Sequence, residues 1–219
     1  MDALILAGGE NKRLSAVKGF LEIDGRRIID TTVEFLNTIF KRVIISTNTP
    51  ELYFYLGVPM VGDIVKYRGP MTGILSALSS LEAPEIFVTA CDMPFINPEL
   101  VRFIVNRWKE NTKSIPHTKI NVAPDTFHPS EKKRWDGIIP LFDKRPQPLL
   151  GIYSKEIIDS MEESIKNGKT GLREFLQKIN IFYIKEEEVR AIDPEGKSFV
   201  NINTLEDFEK EIGGKICLV

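Results

Sequence analysis

The sequence predicts an α/β fold: one three-layer αβα domain around a mostly parallel, twisted sheet. Three observations carry that expectation. Short apolar, β-branched runs alternate with amphipathic segments, Gly, Asn and Pro mark the junctions, and the unusual polar residues fall in segments that follow strands. Strand–helix alternation of this kind implies βαβ units with right-handed crossovers, which gather the post-strand loops at one edge of the sheet. Ligands bind at that edge.

The elements follow in order. Residues 3–6 (Ala-Leu-Ile-Leu) read as a buried strand running into the turn Ala7-Gly8-Gly9. Apolar positions Ile28, Ile29, Val33, Leu36 and Ile39 have helical spacing, and residues 43–47 are a β-branched strand. Thr49-Pro50-Glu51 looks like a helix start, with Gly57 near its end. A short strand is expected over 59–61, a helix over 73–81, a strand over 85–90, and a helix opening at Asn97-Pro98. Residues 109–136 hold three prolines, both histidines and the cluster Lys132-Lys133-Arg134, with little periodicity, and read as an irregular insertion. Beyond it, strands are expected at 137–142, 149–153, 181–184 and 199–202. Helices are expected at 155–166 and 172–178, and a last one from about 203 to 212. The run Lys185-Glu186-Glu187-Glu188 reads as a solvated face.

Composition excludes several classes of function. With 42% hydrophobic residues the chain can bury a core, so disorder is not expected. Twenty-nine basic and 31 acidic residues leave a net charge of −2, and no bulk attraction to nucleic acid or anionic membrane. No apolar run approaches the roughly 20 residues needed to span a bilayer. The N-terminal residues lack the basic stretch of a signal peptide, so a cytoplasmic location is expected. Cys91 and Cys217 form no C-x-x-C pair and lie far in sequence from His117 and His128, which disfavours a thiolate zinc site. With two histidines in the chain, chemistry that needs a histidine base is disfavoured as well.

Four segments could carry chemistry. Leu6-Ala7-Gly8-Gly9, with Arg13 and Lys18 behind it, offers close backbone approach to an anion, a guanidinium fork and a point charge. It matches neither the P-loop nor the G-x-G-x-x-G pattern; a plain glycine turn with solvated charges is the other reading. Asp92, in Ala90-Cys91-Asp92-Met93-Pro94, directly follows an apolar strand. A carboxylate there suits Mg²⁺, which takes one or two carboxylates plus substrate phosphates, or else it caps a turn before Pro94. Cys91 reads as a small packed residue. Asp63 follows the short strand at 59–61, and Gly69-Pro70-Met71-Thr72-Gly73 leads into a helix whose N-terminus can attract anions or polar ring edges. Asn201-Ile202-Asn203-Thr204, with Asp207, reads mainly as a capping box.

Taken in order, Leu6-Ala7-Gly8-Gly9-x-x-x-Arg13, Lys18, Asp63, Gly69-Pro70-x-x-Gly73 and Cys91-Asp92-Met93-Pro94 resemble the molybdenum cofactor guanylyltransferase family. Gln147 to Tyr153, Asn167-Gly168-Lys169 and Asn201-Ile202-Asn203-Thr204 resemble it too, so the likeness spans nearly the whole chain apart from 109–136. The resemblance implies a Rossmann-like nucleotidyltransferase fold. It also implies transfer of GMP from GTP to the terminal phosphate of molybdopterin or molybdenum-molybdopterin, with Mg²⁺ as cofactor and release of pyrophosphate. By resemblance, Leu6, Ala7, Gly8 and Gly9 contact the nucleotide, together with Gly69 and Gly73 of the later turn. Arg13 and Lys18 neutralise phosphate charge, Asp63 lies in the nucleotide site, and Asp92 binds both nucleotide and metal. Ser46 stands where a relative can have a nucleotide-contacting Asn.

One departure is a shorter segment, Leu14-Ser15-Ala16-Val17, before Lys18, without the acidic neighbour that relatives carry. Other molybdenum cofactor biosynthesis proteins are the expected partners, and neither nucleic acid nor membrane is. A cytidylyltransferase, a nucleotidyltransferase acting on another small phosphate, and a non-catalytic nucleotide-binding protein are the competing readings. The chemistry suits the composition, because a phosphate monoester is largely ionised at pH 7 and attacks without a protein base. The insertion at 109–136 would act as a basic flap over the acceptor's phosphate.

Overall fold

The computed structural model of the protein describes residues 1–8, 20–113, 134–202 and 207. Gly9, Arg13, Lys18, residues 114–133 and most of the last expected helix lie outside them, although Asp207 is helical.

The first strand, β1 (Asp2–Leu6), is buried at every position. A two-strand hairpin follows, β2 (Glu22–Ile23) and β3 (Arg26–Arg27), then α1 (Ile28–Asn37), β4 (Val43–Ser46) and β5 (Met60–Val61). Next come α2 (Pro70–Ser80), β6 (Glu85–Ala90), α3 (Pro98–Lys113), β7 (Gly137–Phe142), β8 (Arg145–Pro146) and β9 (Gly151–Ser154). The described chain continues with α4 (Ile158–Lys166), α5 (Leu172–Leu176), β10 (Ile181–Ile184) and α6 (Glu186–Arg190).

The main sheet runs β10-β7-β9-β6-β1-β4-β5, with β8 beside β7. Pairings β6–β1, β1–β4, β4–β5 and β7–β10 are parallel. β9 runs antiparallel to both of its neighbours. Consecutive residues of β1, β4 and β9 are all buried, so apolar side chains are covered on both faces, as a sheet sandwiched between helices requires. Each fully buried Leu, Ile or Phe of this core contributes about 1.5–3 kcal/mol. One core unites the sheet with α1 to α5, and Phe40 stacks on Phe87 at 5.0 Å. A smaller cluster of Leu21, Ile28 and Ile202 packs the chain's late segment against the β2–β3 hairpin.

The structure departs from expectation at definite places. Residues 49–57 form two 3₁₀ turns, Pro50–Leu52 and Phe54–Leu56, rather than an α-helix. Neither has a buried face, and Phe54 and Tyr55 are exposed, so no amphipathic stripe holds a longer helix. Helix α2 starts at Pro70, earlier than position 73. Residues 71–78 are all buried, which erases the one-sided pattern that marks a helix start. Regular structure in α3 runs through Lys113, past the boundary expected at 109. Residues 200–202 are not a strand: Ile202 N–H bonds the Asp92 carbonyl at 2.9 Å with no ladder around it. Residues 186–190 form a short helix anchored by buried Val189. Among the described residues no helix is long and apolar enough to cross a membrane.

Two local devices place the functional edge. Gly73 lets α2 press on the ends of β1 and β4. A Cβ there would sit 2.6 Å from Ser46 Oγ and 2.8 Å from Leu6 Cδ2. The second device is a buried polar clasp at the start of α3. Asn97 caps the helix by accepting from Glu99 N–H at 2.9 Å, and its own N–H donates to Ser198 Oγ at 2.9 Å. Asp193 accepts from the N–H groups of Ser198 and Lys197, at 2.8 and 3.1 Å. The clasp fixes the segment that carries Asn201.

Ser198→Ala is expected to lower stability by about 1–3 kcal/mol, because it strips the acceptor from the Asn97 N–H. Gly73→Ala is expected to cost about 1–3 kcal/mol through overpacking against two buried side chains. Thermal or urea denaturation checks both. Arg102→Ala, which removes the exposed pair with Glu99, serves as control and should change stability by less than about 1 kcal/mol.

Candidate functional site

In the order β6-β1-β4-β5, strand β1 is flanked by strands that the chain reaches by crossovers in opposite directions. Such a switch point leaves a crevice at the carboxyl ends of the strands. Two backbone hydrogen bonds extend the pairing past the strand ends: Ala7 N–H to Ser46 O at 2.9 Å, and Cys91 N–H to Leu6 O at 3.0 Å. They hold the first turns after β1, β4 and β6 side by side.

A cleft of about 420 Å³ opens there. Leu6, Ala7, Gly8, Ser46, Asp63, Gly69, Gly73 and Asp92 all line it, so the structure brings together every sequence-identified site residue that it describes. Gly8 and Asp92 lie where β1 and β6 end. Asp92 is half-buried, and its backbone carbonyl is held by Ile202 N–H. Gly69 has a φ of +134°, a conformation open to glycine, and with Pro70 at the first helical position it starts α2 against the cleft.

Sequence reasoning missed Asn48, Thr49, Leu52, Tyr53, Arg68 and Leu149, which also line this cleft. Asn48 Nδ2 donates to Asp63 Oδ2 at 2.6 Å, and Asp63 N–H donates to Asn48 Oδ1 at 2.9 Å. The available signal was the polar run Ser46-Thr47-Asn48-Thr49, which starts at the last residue of β4 and continues past it. Tyr53 is 1% exposed, and burial pushes its phenol well above the ordinary tyrosine range, so it stays a neutral hydroxyl at physiological pH. Phe20 holds its ring edge-on at 5.6 Å, and Arg27 covers Phe20 and Tyr55 in turn. Tyr55 donates to Asp30 at 2.6 Å, which ties the 3₁₀ turns to α1.

A second cleft of about 360 Å³ shares Pro70 and Leu149 with the first. Met93, Pro148, Leu150, Leu172 and Phe199 make it largely apolar, and Gln147, Arg173 and Asn201 add polar groups. An apolar cavity with a few polar groups is the ordinary form of a small-molecule site.

Asp92 is the carboxylate at the β6 end of this edge that could hold a metal ion. Among the described residues no group of three or more His, Cys, Asp or Glu could cage an ion. One hard carboxylate oxygen donor set beside a glycine turn fits Mg²⁺, which completes its coordination from substrate phosphates and water.

Comparisons with known proteins agree with this architecture. The MobA-like NTP transferase domain family matches residues 3–185. A Peptoclostridium acidaminophilum protein named probable molybdenum cofactor guanylyltransferase is 32% identical over 208 residues, covering 95% of this chain and 86% of that one. A Syntrophotalea carbinolica protein named molybdenum cofactor guanylyltransferase is 29% identical over 208 residues, covering 95% and 89%. The crystal structure of molybdopterin-guanine dinucleotide biosynthesis protein A from Archaeoglobus fulgidus superposes with a TM-score of 0.75 at 26% identity, covering 97% of both chains. With its strand-end cleft and a family match that runs from β1 to the end of β10, this chain belongs to the MobA-like NTP transferases.

Proposed function

We propose that the protein transfers GMP from GTP to the terminal phosphate of molybdopterin or molybdenum-molybdopterin, forming the guanine dinucleotide cofactor and releasing pyrophosphate. The observation that carries this reading is the pair of clefts meeting at Pro70 and Leu149, with Asp92 lining the first and its neighbour Met93 the second. A group transfer needs two ligands held so that their reacting ends touch. The names borne by the relatives give the donor and acceptor.

In this reading GTP occupies the larger cleft, with its phosphates toward Gly8 and Asp92, and the pterin end of the acceptor occupies the apolar one. An ionised oxygen of the acceptor's phosphate forms the new bond to the α-phosphorus of GTP. The bond from that phosphorus to the bridging oxygen breaks, and pyrophosphate leaves with the electron pair. No protein base is required, because the nucleophile arrives ionised. The protein's work is alignment and charge neutralisation. Backbone at Leu6, Ala7 and Gly8 approaches the nucleotide closely, and Arg13 and Lys18 offset charge on the α-phosphate and the leaving group. Asp92 holds Mg²⁺, which when bound neutralises charge on the phosphate oxygens. We place the reaction in the cytoplasm, where GTP is at hand and the buried Cys91 stays a thiol. Other molybdenum cofactor biosynthesis proteins would supply the acceptor or receive the product.

Pyrophosphate release from GTP, Mg²⁺ and molybdopterin tests the proposal; release with CTP and not GTP would overturn the guanylyl assignment. Asp92→Ala is expected to abolish turnover and Lys18→Ala to lower it by about 10²–10³-fold. Wild-type rates from either variant would overturn the roles given to those residues.

A further inference from the structure

We infer that Asn48 is a positioning residue that turns Asp63 into a reader of the guanine edge. The inference rests on GTP occupying the larger cleft. Its basis is the two-point clamp in which Asn48 uses both ends of its amide on Asp63, one on the carboxylate at 2.6 Å and one on the backbone N–H at 2.9 Å.

The position of Asp63 follows from strand order. Asp63 comes after β5 and Asp92 after β6, with β4 and β1 between them. At about 4.8 Å per strand, the two strand ends stand roughly 14 Å apart. The glycine turn at Gly8 offers backbone N–H groups to an anion, and Mg²⁺ on Asp92 would offset that carboxylate's charge, so the phosphates lie at the Gly8–Asp92 end. Asp63 then meets the opposite end of the nucleotide, the outer edge of the base.

Chemistry then selects among the bases. An ionised carboxylate only accepts hydrogen bonds, and each of its oxygens has two acceptor positions. Oδ2 spends one position on Asn48, which leaves Oδ1 and the rest of Oδ2 for a ligand. Guanine presents two adjacent donors, N1–H and the 2-amino group, which match a carboxylate in bidentate fashion. Adenine and cytosine each set an acceptor beside their amino group, and uracil flanks its single N–H with two acceptors. A site built around buried or fixed hydrogen-bonding groups discriminates strongly against ligands that leave them unmet. Asp63 sits in a partly exposed loop, where its side chain would otherwise sample several rotamers. The clamp restrains the carboxylate, and with it the way Asp63 meets a ligand in the cleft it lines.

The test is binding of GTP, ITP, XTP and ATP with Mg²⁺ by calorimetry, without acceptor, on the wild type, Asn48→Ala and Asp63→Asn. ITP lacks the 2-amino donor; XTP replaces it with an acceptor. Wild type should bind GTP about tenfold more tightly than ITP. In Asn48→Ala that ratio should fall toward one as GTP weakens more than ITP. Asp63→Asn should shift preference from GTP to XTP, because its amide offers a donor beside an acceptor. Equal weakening of GTP and ITP in Asn48→Ala would show a merely structural role and overturn the inference, as would an unchanged ratio. Loss of GTP without any gain of XTP in Asp63→Asn would overturn base reading by Asp63. Failure of pyrophosphate release by a wild type that still prefers GTP over ITP would instead overturn the transfer reaction and leave this inference standing.

Discussion

Everything at the functional edge depends on the close parallel pairing of β6, β1 and β4 beyond their formal ends. Ala7 N–H and Cys91 N–H continue the ladder into the first turns, and this ties the backbone beside Gly8, Ser46 and Asp92 into one frame. Side chains that meet a ligand here are therefore set by sheet geometry rather than by loop preference. Gly73 belongs to the same constraint. Without a Cβ it brings the first turn of α2 against Ser46 and Leu6, so a helix start, a strand end and two loops share one wall.

The cleft separates its charges along the sheet. Asp92 lies at one end, next to the glycine turn, and Asp63 lies two intervening strands away. Placed together, two carboxylates would repel one another and any polyphosphate. Spread along the edge, each can serve a different part of one nucleotide. The neutral Tyr53 hydroxyl and Ser46 also line the cleft without adding charge.

Sequence patterns revealed the parts of the site that are local. Leu6 to Gly8 was legible as a candidate because an apolar run that stops at glycine lets backbone approach an anion, with a plain turn as the other reading, and Asp92 because it follows a buried strand. Asn48 was not legible, since its role depends on Asp63, a partner 15 residues away. Tyr53 falls inside the helix expected between Thr49 and Gly57, a reading that gives it no place at a site. Its place at the cleft comes from 3₁₀ turns pinned by Phe20, Arg27 and Asp30, none of them near in sequence. The alternation of strands and helices showed the layered fold, but it could not show that β9 runs backwards. A short apolar strand reads the same in either direction, and only its pairing with β6 and β7 decides the matter.

That reversal has a further consequence. Every parallel strand reaches the functional edge at its carboxyl end, whereas β9 leaves that edge, so residues 147–150 precede their strand and line the second cleft before the chain turns inward. The two clefts thus draw on different kinds of connection: one on turns that follow strands and lead into crossovers, the other on a short link from β8 into a reversed strand. Changes in the length or composition of that link can reshape the second cavity, and the wall at Leu149 that both share, while the parallel half of the sheet keeps its register. The fold is in that sense modular, with one cleft set by the turns of the parallel strands and the other shaped by the link before β9, the two joined at a single wall.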